Sequence, residues 1–307
     1  MHSAVVTGGQ GFIGRELVKA LRRRGVDVMT VGRCASAEPN HIALAQDEWQ
    51  SPALDRVLSQ ADPDCVFHLA GRACGNASEL FAANVLLTQN LIEALTRLDS
   101  RALLVVAGSA AEYGAAIRDG EPVSETMACA PSSAYGASKQ AQTRAALAYA
   151  DETGTPVLVA RIFNALGPNM PAHLAIGDFA AQIASMPANR GTLLVGNIDV
   201  RRDMVDVEHV ATLLCQLAEN PRARGVVNVC SGQAPLLRDL VELLIDASGR
   251  SIELKIDQSR MRKNEVKTVI GSTDLLRMLG CPPPATDFRA VMNRVYQRVQ
   301  ARMEYAS

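Results

Sequence analysis

The stretch Thr7-Gly8-Gly9-Gln10-Gly11-Phe12-Ile13-Gly14 decides the fold of this chain, because it joins a short β-branched run to an amphipathic segment. Its glycines recur every three residues. Gly8 permits a tight turn, Gly11 lets the backbone approach a pyrophosphate, and Gly14 lets a helix pack closely on the strand. A helix that begins here presents free amide groups and a positive partial charge to an anion. The stretch therefore predicts a strand–loop–helix unit that binds a dinucleotide.

Outward from this loop, strand-like apolar runs alternate with helical patterns. Such alternation predicts an α/β fold with a Rossmann-type, doubly wound parallel sheet that is covered by helices on both faces. The pattern becomes looser after Gly167-Pro168. The predicted strands are residues 3–7, 26–31, 65–69, 103–107, 157–162 and 226–230, and the predicted helices are residues 12–24, 51–60, 79–97, 134–152, 206–219, 236–247 and 285–303.

The length of the chain, 307 residues, is too great for one ordinary core. Strand and helix signals of the Rossmann kind return after the looser segment. We therefore predict a dinucleotide-binding domain made of residues 1–165 and 204–230. A smaller, discontinuous α/β domain is predicted for residues 166–203 and 231–307, and it would bind the substrate.

The overall composition narrows the class of protein. The net charge is -1, and the basic residues are spread along the chain, which argues against a nucleic-acid partner or a basic membrane anchor. The sequence begins without a signal-peptide pattern, and no apolar run approaches the roughly 20 residues of a membrane span. We therefore expect a cytoplasmic protein. The seven cysteines lack C-x-x-C spacing, and no two histidines have the spacing of metal ligands. We therefore expect no metal site.

The end of the second predicted strand, Val31-Gly32-Arg33, bears on the choice of cofactor. In NAD-binding proteins an acidic residue at this point accepts the ribose hydroxyls. A carboxylate would repel a 2′-phosphate, whereas the guanidinium of Arg33 could pair with it. The sequence therefore favours NADP(H), with NAD left open.

The segment Tyr135-Gly136-Ala137-Ser138-Lys139 lies at the start of a predicted helix. The spacing of four places Tyr135 and Lys139 on one helix face. A nearby ammonium stabilises a phenolate, which makes the tyrosine a usable general acid toward the alkoxide that hydride transfer forms. Ser109 follows the fourth predicted strand, where parallel-sheet enzymes place reacting groups, and can donate a hydrogen bond to a carbonyl oxygen. These three residues are the predicted catalytic groups.

The order and spacing of these motifs resemble the extended short-chain dehydrogenase/reductase family, which includes nucleotide-sugar epimerases, dehydratases and reductases. The resemblance runs along most of the chain. It implies a nicotinamide cofactor and a nucleotide-diphosphate sugar as the substrate. It is carried by the glycine loop, His68-Leu69-Ala70-Gly71, Ser109, Tyr135 with Lys139, Arg161-Ile162-Phe163-Asn164 and Arg202-Asp203-Met204-Val205-Asp206-Val207.

The resemblance also implies roles for single residues. The serine, tyrosine and lysine match the family's catalytic triad, and the lysine would also hold the nicotinamide ribose. Asp47 matches an adenine contact, Asn164 a substrate contact, and Arg202 an arginine on the substrate diphosphate. With the reasoning above, the predicted cofactor-binding residues are Gly8, Gln10, Gly11, Phe12, Ile13, Gly14, Arg33, Asp47, Leu69, Ala70, Gly71, Tyr135 and Lys139, and the predicted substrate-binding residues are Ser109, Ala110, Asn164, Arg202, Arg262 and Glu265.

Two further segments resemble one branch of this family, the GDP-4-keto-6-deoxy-D-mannose reductases. They are Asn228-Val229-Cys230-Ser231-Gly232 and Arg262-Lys263-Asn264-Glu265-Val266. By that likeness Arg262 contacts the diphosphate and Glu265 the ribose hydroxyls. The resemblance thus implies NADP(H)-dependent reduction of the C4 keto group of a nucleotide-linked 4-keto-6-deoxyhexose, and it favours the conversion of GDP-4-keto-6-deoxy-D-mannose to GDP-D-rhamnose.

Two absences separate the chain from other branches of the family. The dehydratases need an acid/base carboxylate directly after the catalytic serine or threonine, where this chain has Ala110 and Ala111, and Glu112 is out of register by one. The GDP-fucose synthases pair a cysteine with a histidine. Ala111 occupies that cysteine position, which leaves His173 without a partner. We therefore expect neither dehydration nor that epimerisation.

Two other functions stay open on the sequence. A nucleotide-sugar C4 epimerase with tightly bound NAD would need no external reductant, and Gly32-Arg33 speaks mildly against it. A non-catalytic nucleotide-binding protein would keep the fold without turnover, and the complete triad speaks against that. The habit of the family implies a homodimer formed through residues 79–97 and 134–152. The sequence does not identify the base of the nucleotide.

Overall fold

The computed structural model describes residues 1–50, 52–187, 189–261 and 265–304, without the side chains of residues 46 and 47. Within these ranges the strands are β1 Ser3–Thr7, β2 Asp27–Gly32, β3 His41–Ala43, β4 Cys65–His68, β5 Leu103–Ser109, β6 Pro122–Val123, β7 Val157–Ile162, β8 Asn164–Leu166, β9 Arg190–Val195, β10 Arg201–Arg202, β11 Met204–Asp206, β12 Gly225–Val229, β13 Ser251–Ile256 and β14 Thr268–Gly271. The α-helices are α1 Phe12–Arg23, α2 Ala53–Ala61, α3 Ala77–Phe81, α4 Leu87–Arg97, α5 Ala134–Thr153, α6 Ala175–Ser185, α7 Val207–Glu219, α8 Leu237–Ser248, α9 Asp274–Met278 and α10 Phe288–Glu304.

Seven of the strands form one parallel sheet, in the order β3-β2-β1-β4-β5-β7-β12. The order of the strands reverses at β1, whose other neighbour is β4. A crevice therefore lies outside the carboxyl ends of these two strands, which is where doubly wound sheets bind their ligands. Strands β4 and β7 are buried along their whole length because helices cover both faces of the sheet. This architecture confirms the predicted α/β fold with a doubly wound parallel sheet.

Apolar side chains form a separate cluster on each face of this sheet. One cluster contains residues of α1 and α7, such as Leu17 and Leu214. The other contains residues of α2, α4 and α5, such as Leu54 and Leu91. A third cluster joins α6, α8 and α10 to the parallel pair β9 and β13. Within the described residues, none of the helices combines the length and the apolar character that a membrane span requires.

The helix that carries Tyr135 and Lys139 has strong signals at both ends. Ser133 caps the start of α5, since its side chain accepts a hydrogen bond from the backbone N–H of Gly136 at 3.0 Å. The helix ends at Gly154, which has a φ of 69°, a left-handed conformation that glycine adopts without strain. These signals fix Tyr135 in the first turn of the helix and Lys139 one turn later.

The structure corrects several predicted elements. The helix predicted at 79–97 is α3 and α4, joined by a π-helical turn at Ala82–Leu86. It begins earlier because Asn76 and Glu79 form a capping box, with hydrogen bonds of 2.9 and 3.0 Å. Strand β3 was missed because it is three residues long and lies at the sheet edge. Most of the small strands after Gly167 were also missed, because they pair with partners distant in the sequence.

Candidate active site

The loop between β1 and α1 can hold a dinucleotide only because two of its residues lack a side chain. Gly8 has a φ of 71°, and a Cβ atom there would lie 2.8 Å from the backbone N of Ala70. A Cβ on Gly14 would lie 2.2 Å from the carbonyl oxygen of Gly8. The loop therefore packs against Leu69-Ala70-Gly71, which follows β4, and leaves the first amides of α1 free for an anion. This cradle fits the pyrophosphate of a dinucleotide.

A basic cleft of about 350 Å³ is lined in part by this loop. Arg15 donates from Nε to the carbonyl of Gln10 at 2.7 Å, and Arg298 donates from Nε to Oδ1 of Asn169, also at 2.7 Å. The sequence analysis did not include Arg298 and Arg302 of α10 among the site residues, because no local motif marks them. Their spacing of four places both on one helix face and could have indicated a basic surface. The cleft is lined by Gln10, Gly11, Phe12, Arg15, Asn169, Arg298 and Arg302.

Arg33 follows β2 at the same edge of the sheet and is exposed. The backbone just beyond it is fixed by His41, whose Nε2 lies 2.9 Å from the carbonyl of Cys34 and whose Nδ1 lies 2.8 Å from Oγ1 of Thr30. An exposed guanidinium on a fixed backbone could pair with a 2′-phosphate. The side chain of Asp47, predicted to contact adenine, lies outside the described residues.

The structure brings the three predicted catalytic residues together at the carboxyl end of β5. Ser109 is the last residue of this strand, and its hydroxyl lies close enough to Tyr135 to lower the pKa of the phenol. The ammonium of Lys139 donates to the carbonyl of Ala107, two residues before Ser109, and to the side-chain oxygen of Gln142. Lys139 is 6% exposed and Ser109 9% exposed. The hydroxyl of Ser109, the phenol of Tyr135 and the ammonium of Lys139 therefore lie together at the carboxyl edge of the sheet.

The electrostatics of this group differ from the simple expectation that Lys139 activates Tyr135. Burial raises the pKa of Tyr135 above its ordinary value of 10, and the hydrogen bond with Ser109 lowers it in part. Burial lowers the pKa of Lys139 to about 8, while the charge of Glu112 acts in the opposite direction. The lysine is held by Ala107 and Gln142, so Ser109 is the group that favours the phenolate directly.

Glu112, which is out of register for acid/base chemistry, is fully buried below the triad. Its carboxylate accepts from the backbone N–H of Ser109 at 2.8 Å, from the hydroxyl of Thr143 at 2.9 Å and from Nε of Arg161 at 2.9 Å. The guanidinium of Arg161 lies 4.7 Å from the ring centre of Tyr113. The carboxylate therefore supports the end of β5 from inside the core. Sequence reasoning missed this role because the pairing joins two strand ends far apart in the sequence.

The predicted substrate residues form a second polar group. Arg202 donates to Glu265 at 2.8 Å, and Asn197 donates to the same carboxylate at 3.1 Å. Asn164 is exposed, and its Nδ2 donates to the carbonyl of Asp203 at 2.8 Å. Because Glu265 already holds Arg202, a substrate diphosphate would share or replace this contact. Arg262 lies outside the described residues.

The fold and this arrangement of groups define the class of protein. Residues 4–230 match the NAD dependent epimerase/dehydratase family. The chain belongs to this family, a branch of the extended short-chain dehydrogenases/reductases, as its motifs predicted. It is therefore an enzyme that uses an NAD(P) cofactor and acts on nucleotide sugars.

Two relatives and one solved structure are similar to most or all of this chain. The chain is 33% identical to the GDP-6-deoxy-D-mannose reductase of Pseudomonas aeruginosa, over 96% of this chain and 97% of that one. It is 34% identical to the dTDP-6-deoxy-L-talose 4-dehydrogenase (NAD(P)(+)) of Kitasatospora kifunensis, over 81% of this chain and 80% of that one. A solved structure of RMD from Pseudomonas aeruginosa, complexed with NADPH, has a TM-score of 0.82 and 30% identity, covering 98% of this chain and 100% of that one.

Proposed function

We propose that this enzyme uses NADPH to reduce the C4 keto group of a nucleotide-linked 4-keto-6-deoxyhexose, with GDP-4-keto-6-deoxy-D-mannose to GDP-D-rhamnose as the preferred conversion. The proposal rests on the grouping of Ser109, Tyr135 and Lys139 at the carboxyl end of β5. Glu112 is buried in the core and paired with Arg161, so it is not free to act as an acid or a base. Such a site can protonate an oxygen but offers no free carboxylate at positions 110 and 111 for elimination. The whole-length likeness to a reductase and a 4-dehydrogenase supports the same reaction.

Each catalytic side chain has one task in this proposal. The cofactor, when bound, supplies the hydride for the carbonyl carbon. Ser109 donates a hydrogen bond to the carbonyl oxygen and orients it. Tyr135 gives its hydroxyl proton to the same oxygen as negative charge develops there. Lys139 contributes a positive charge beneath these groups and holds the cofactor ribose.

The predicted binding residues fall into one group for the cofactor and one group for the substrate. The glycine loop, Arg33 and residues 69–71 would hold the cofactor, while Asn164, Arg202 and Glu265 would hold the nucleotide sugar. Residues 1–165 and 204–230 would form the cofactor domain, and residues 166–203 and 231–307 the substrate domain. We also propose a cytoplasmic homodimer that pairs through residues 79–97 and 134–152.

An assay of cofactor consumption separates this proposal from its main rival. The enzyme should oxidise NADPH when given a 4-keto-6-deoxyhexose linked to GDP, and more slowly when the sugar is linked to UDP or dTDP. A C4 epimerase would instead copurify with NAD and interconvert UDP-sugars without added reductant. That second result would replace the proposed reduction by epimerisation.

The pH dependence of reduction should report Lys139. Its ammonium is the active form, and burial lowers its pKa to about 8, so kcat/KM should be constant below that pH and fall about tenfold per pH unit above it. The pKa of Tyr135 is raised, so the proton donor stays protonated over this range. Rates at saturating cofactor between pH 6 and 10 provide the measurement. A profile without a basic limb would remove Lys139 from this role.

Removal of the Arg33 side chain should weaken the preference for NADPH. Arg33→Ala loses the proposed partner of the 2′-phosphate, so KM for NADPH should rise about tenfold while KM for NADH changes little. Arg56→Ala, at an exposed position on α2, is the matched control and should leave both constants unchanged. An equal effect of Arg33→Ala on KM for both cofactors would show that Arg33 does not bind the 2′-phosphate of NADPH.

A further inference from the structure

A chain of buried hydrogen bonds runs from Lys139 to the strand that carries the glycine loop. Lys139 donates to Oε1 of Gln142, and Nε2 of Gln142 donates to Oγ1 of Thr88 at 2.8 Å. The ring of His68 continues the chain, with Nε2 at 2.9 Å from Oγ1 of Thr88 and Nδ1 at 2.8 Å from Oγ1 of Thr7. Gln142, Thr88, His68 and Thr7 are fully buried.

Donors and acceptors fix the direction of each of these bonds. The hydroxyl of Thr88 donates its single proton to the carbonyl of Asn84 at 2.7 Å, so it accepts from both of its other partners. His68 therefore carries its proton on Nε2, and its Nδ1 accepts from the hydroxyl of Thr7. That hydroxyl accepts in turn from the backbone N–H of Ala70 at 3.2 Å. Burial, with a smaller effect of Lys139, lowers the pKa of His68 to about 3, so the ring stays neutral.

We propose that Gln142, Thr88 and His68 are positioning residues, which hold the ammonium of Lys139 at a fixed place relative to the glycine loop. The proposal rests on the proposed function, in which Lys139 acts on the cofactor and on the reacting groups. A lysine side chain has four rotatable bonds and loses its place easily unless its donors have fixed acceptors. The amide of Gln142 is such an acceptor only because Thr88 holds its other end.

Three titratable groups lie on the elements around Lys139, and one of them, His68, belongs to this chain. Glu112 approaches from the turn after β5, Tyr135 lies one turn earlier on α5, and His68 comes from β4. The carbonyl of Ala107 takes one of the three ammonium donors and Gln142 takes a second. Among the described residues no acceptor takes the third donor, which the proposed function assigns to a hydroxyl of the cofactor ribose. A shift of the ammonium would therefore change both its charge state and its contact with ligand.

Thr88→Val tests the proposal because it removes the hydroxyl with little change of shape. The variant should lose about 10- to 100-fold in kcat, with little change in KM for the ketosugar. The basic limb of its pH profile should move to lower pH, because the protonated form of Lys139 loses an oriented acceptor. Thr88→Ser keeps the hydroxyl and should recover most of the rate and the position of the limb.

Thr96→Val is the matched control on the same helix. It removes a hydrogen bond of the same kind, from Oγ1 of Thr96 to the carbonyl of Ile92 at 2.9 Å, and should keep the rate of the unmodified enzyme. An unchanged rate and pH profile in Thr88→Val, or no recovery in Thr88→Ser, would overturn the proposal.

A second variant keeps the proposal testable if Thr88→Val does not fold. Gln142→Glu places a carboxylate against the ammonium, so the basic limb should move to higher pH; a limb that stays in place would also overturn the proposal. Full activity of Tyr135→Phe would instead defeat the proposed function itself. An inactive Tyr135→Phe together with an unaltered Thr88→Val would defeat this inference alone.

Discussion

Tyr135→Phe is expected to reduce kcat for ketosugar reduction by about 100- to 10,000-fold, the range over which a positioned general acid acts. The variant keeps the aromatic ring, so the first turn of α5 and its cap at Ser133 should stay intact. It loses only the hydroxyl, which in the proposed function donates the proton and which lies beside Ser109. Initial rates with saturating NADPH and ketosugar provide the measurement.

The loss should be confined to turnover. The affinities for NADPH and for a nucleoside diphosphate should change by less than about threefold, because the phenol hydroxyl touches neither the glycine loop nor the Arg202 group in the proposed arrangement. Tyr149→Phe, on the same helix but packed in the core, is the matched control and should keep kcat within about twofold. A rate close to that of the unmodified enzyme in Tyr135→Phe would remove the phenol from the reaction.

Glu112→Ala is expected to lower the free energy of unfolding by about 3–5 kcal/mol, which is the usual result of leaving one buried charge without its partner. The side chain of Arg161 is 7% exposed and faces this carboxylate. The change also removes the acceptor of the Ser109 backbone N–H and of the Thr143 hydroxyl. Urea unfolding at neutral pH measures the loss.

Two control variants test whether the loss of stability in Glu112→Ala comes from the buried ion pair. Asp199→Ala breaks an exposed pair with Arg238 and should cost less than about 1 kcal/mol. Glu112→Leu combined with Arg161→Met removes both buried charges and should recover much of the stability. If Glu112→Ala costs no more than Asp199→Ala, the buried pair does not support the end of β5.

The sequence was sufficient to predict the parts of the fold that depend on local signals. The glycine loop and the alternation of strands and helices depend on patterns over a few residues, so they are visible in the chain itself. The family followed from the same motifs and is confirmed by the match over residues 4–230. The roles of single site residues and the division into two domains stay predictions.

The features that the sequence did not reveal depend on distant pairings. Strand β9 pairs with β13 and β10 pairs with β14, each across more than fifty residues, and no periodicity marks such short strands. The same holds for Arg298 beside the glycine loop and for Arg161 beneath Glu112. Polar residues of this kind can be recognised in a sequence as unusual, but only the fold shows which partner each one has.

Transfer of deuterium from cofactor to sugar tests the central claim most directly. The enzyme would be incubated with GDP-4-keto-6-deoxy-D-mannose and NADPH that carries two deuterium atoms at C4 of the nicotinamide, and the product analysed by mass spectrometry and NMR. The account predicts one deuterium at C4 of the product sugar and one NADPH oxidised for each sugar reduced. A product without deuterium, or sugar conversion without NADPH oxidation, would contradict it.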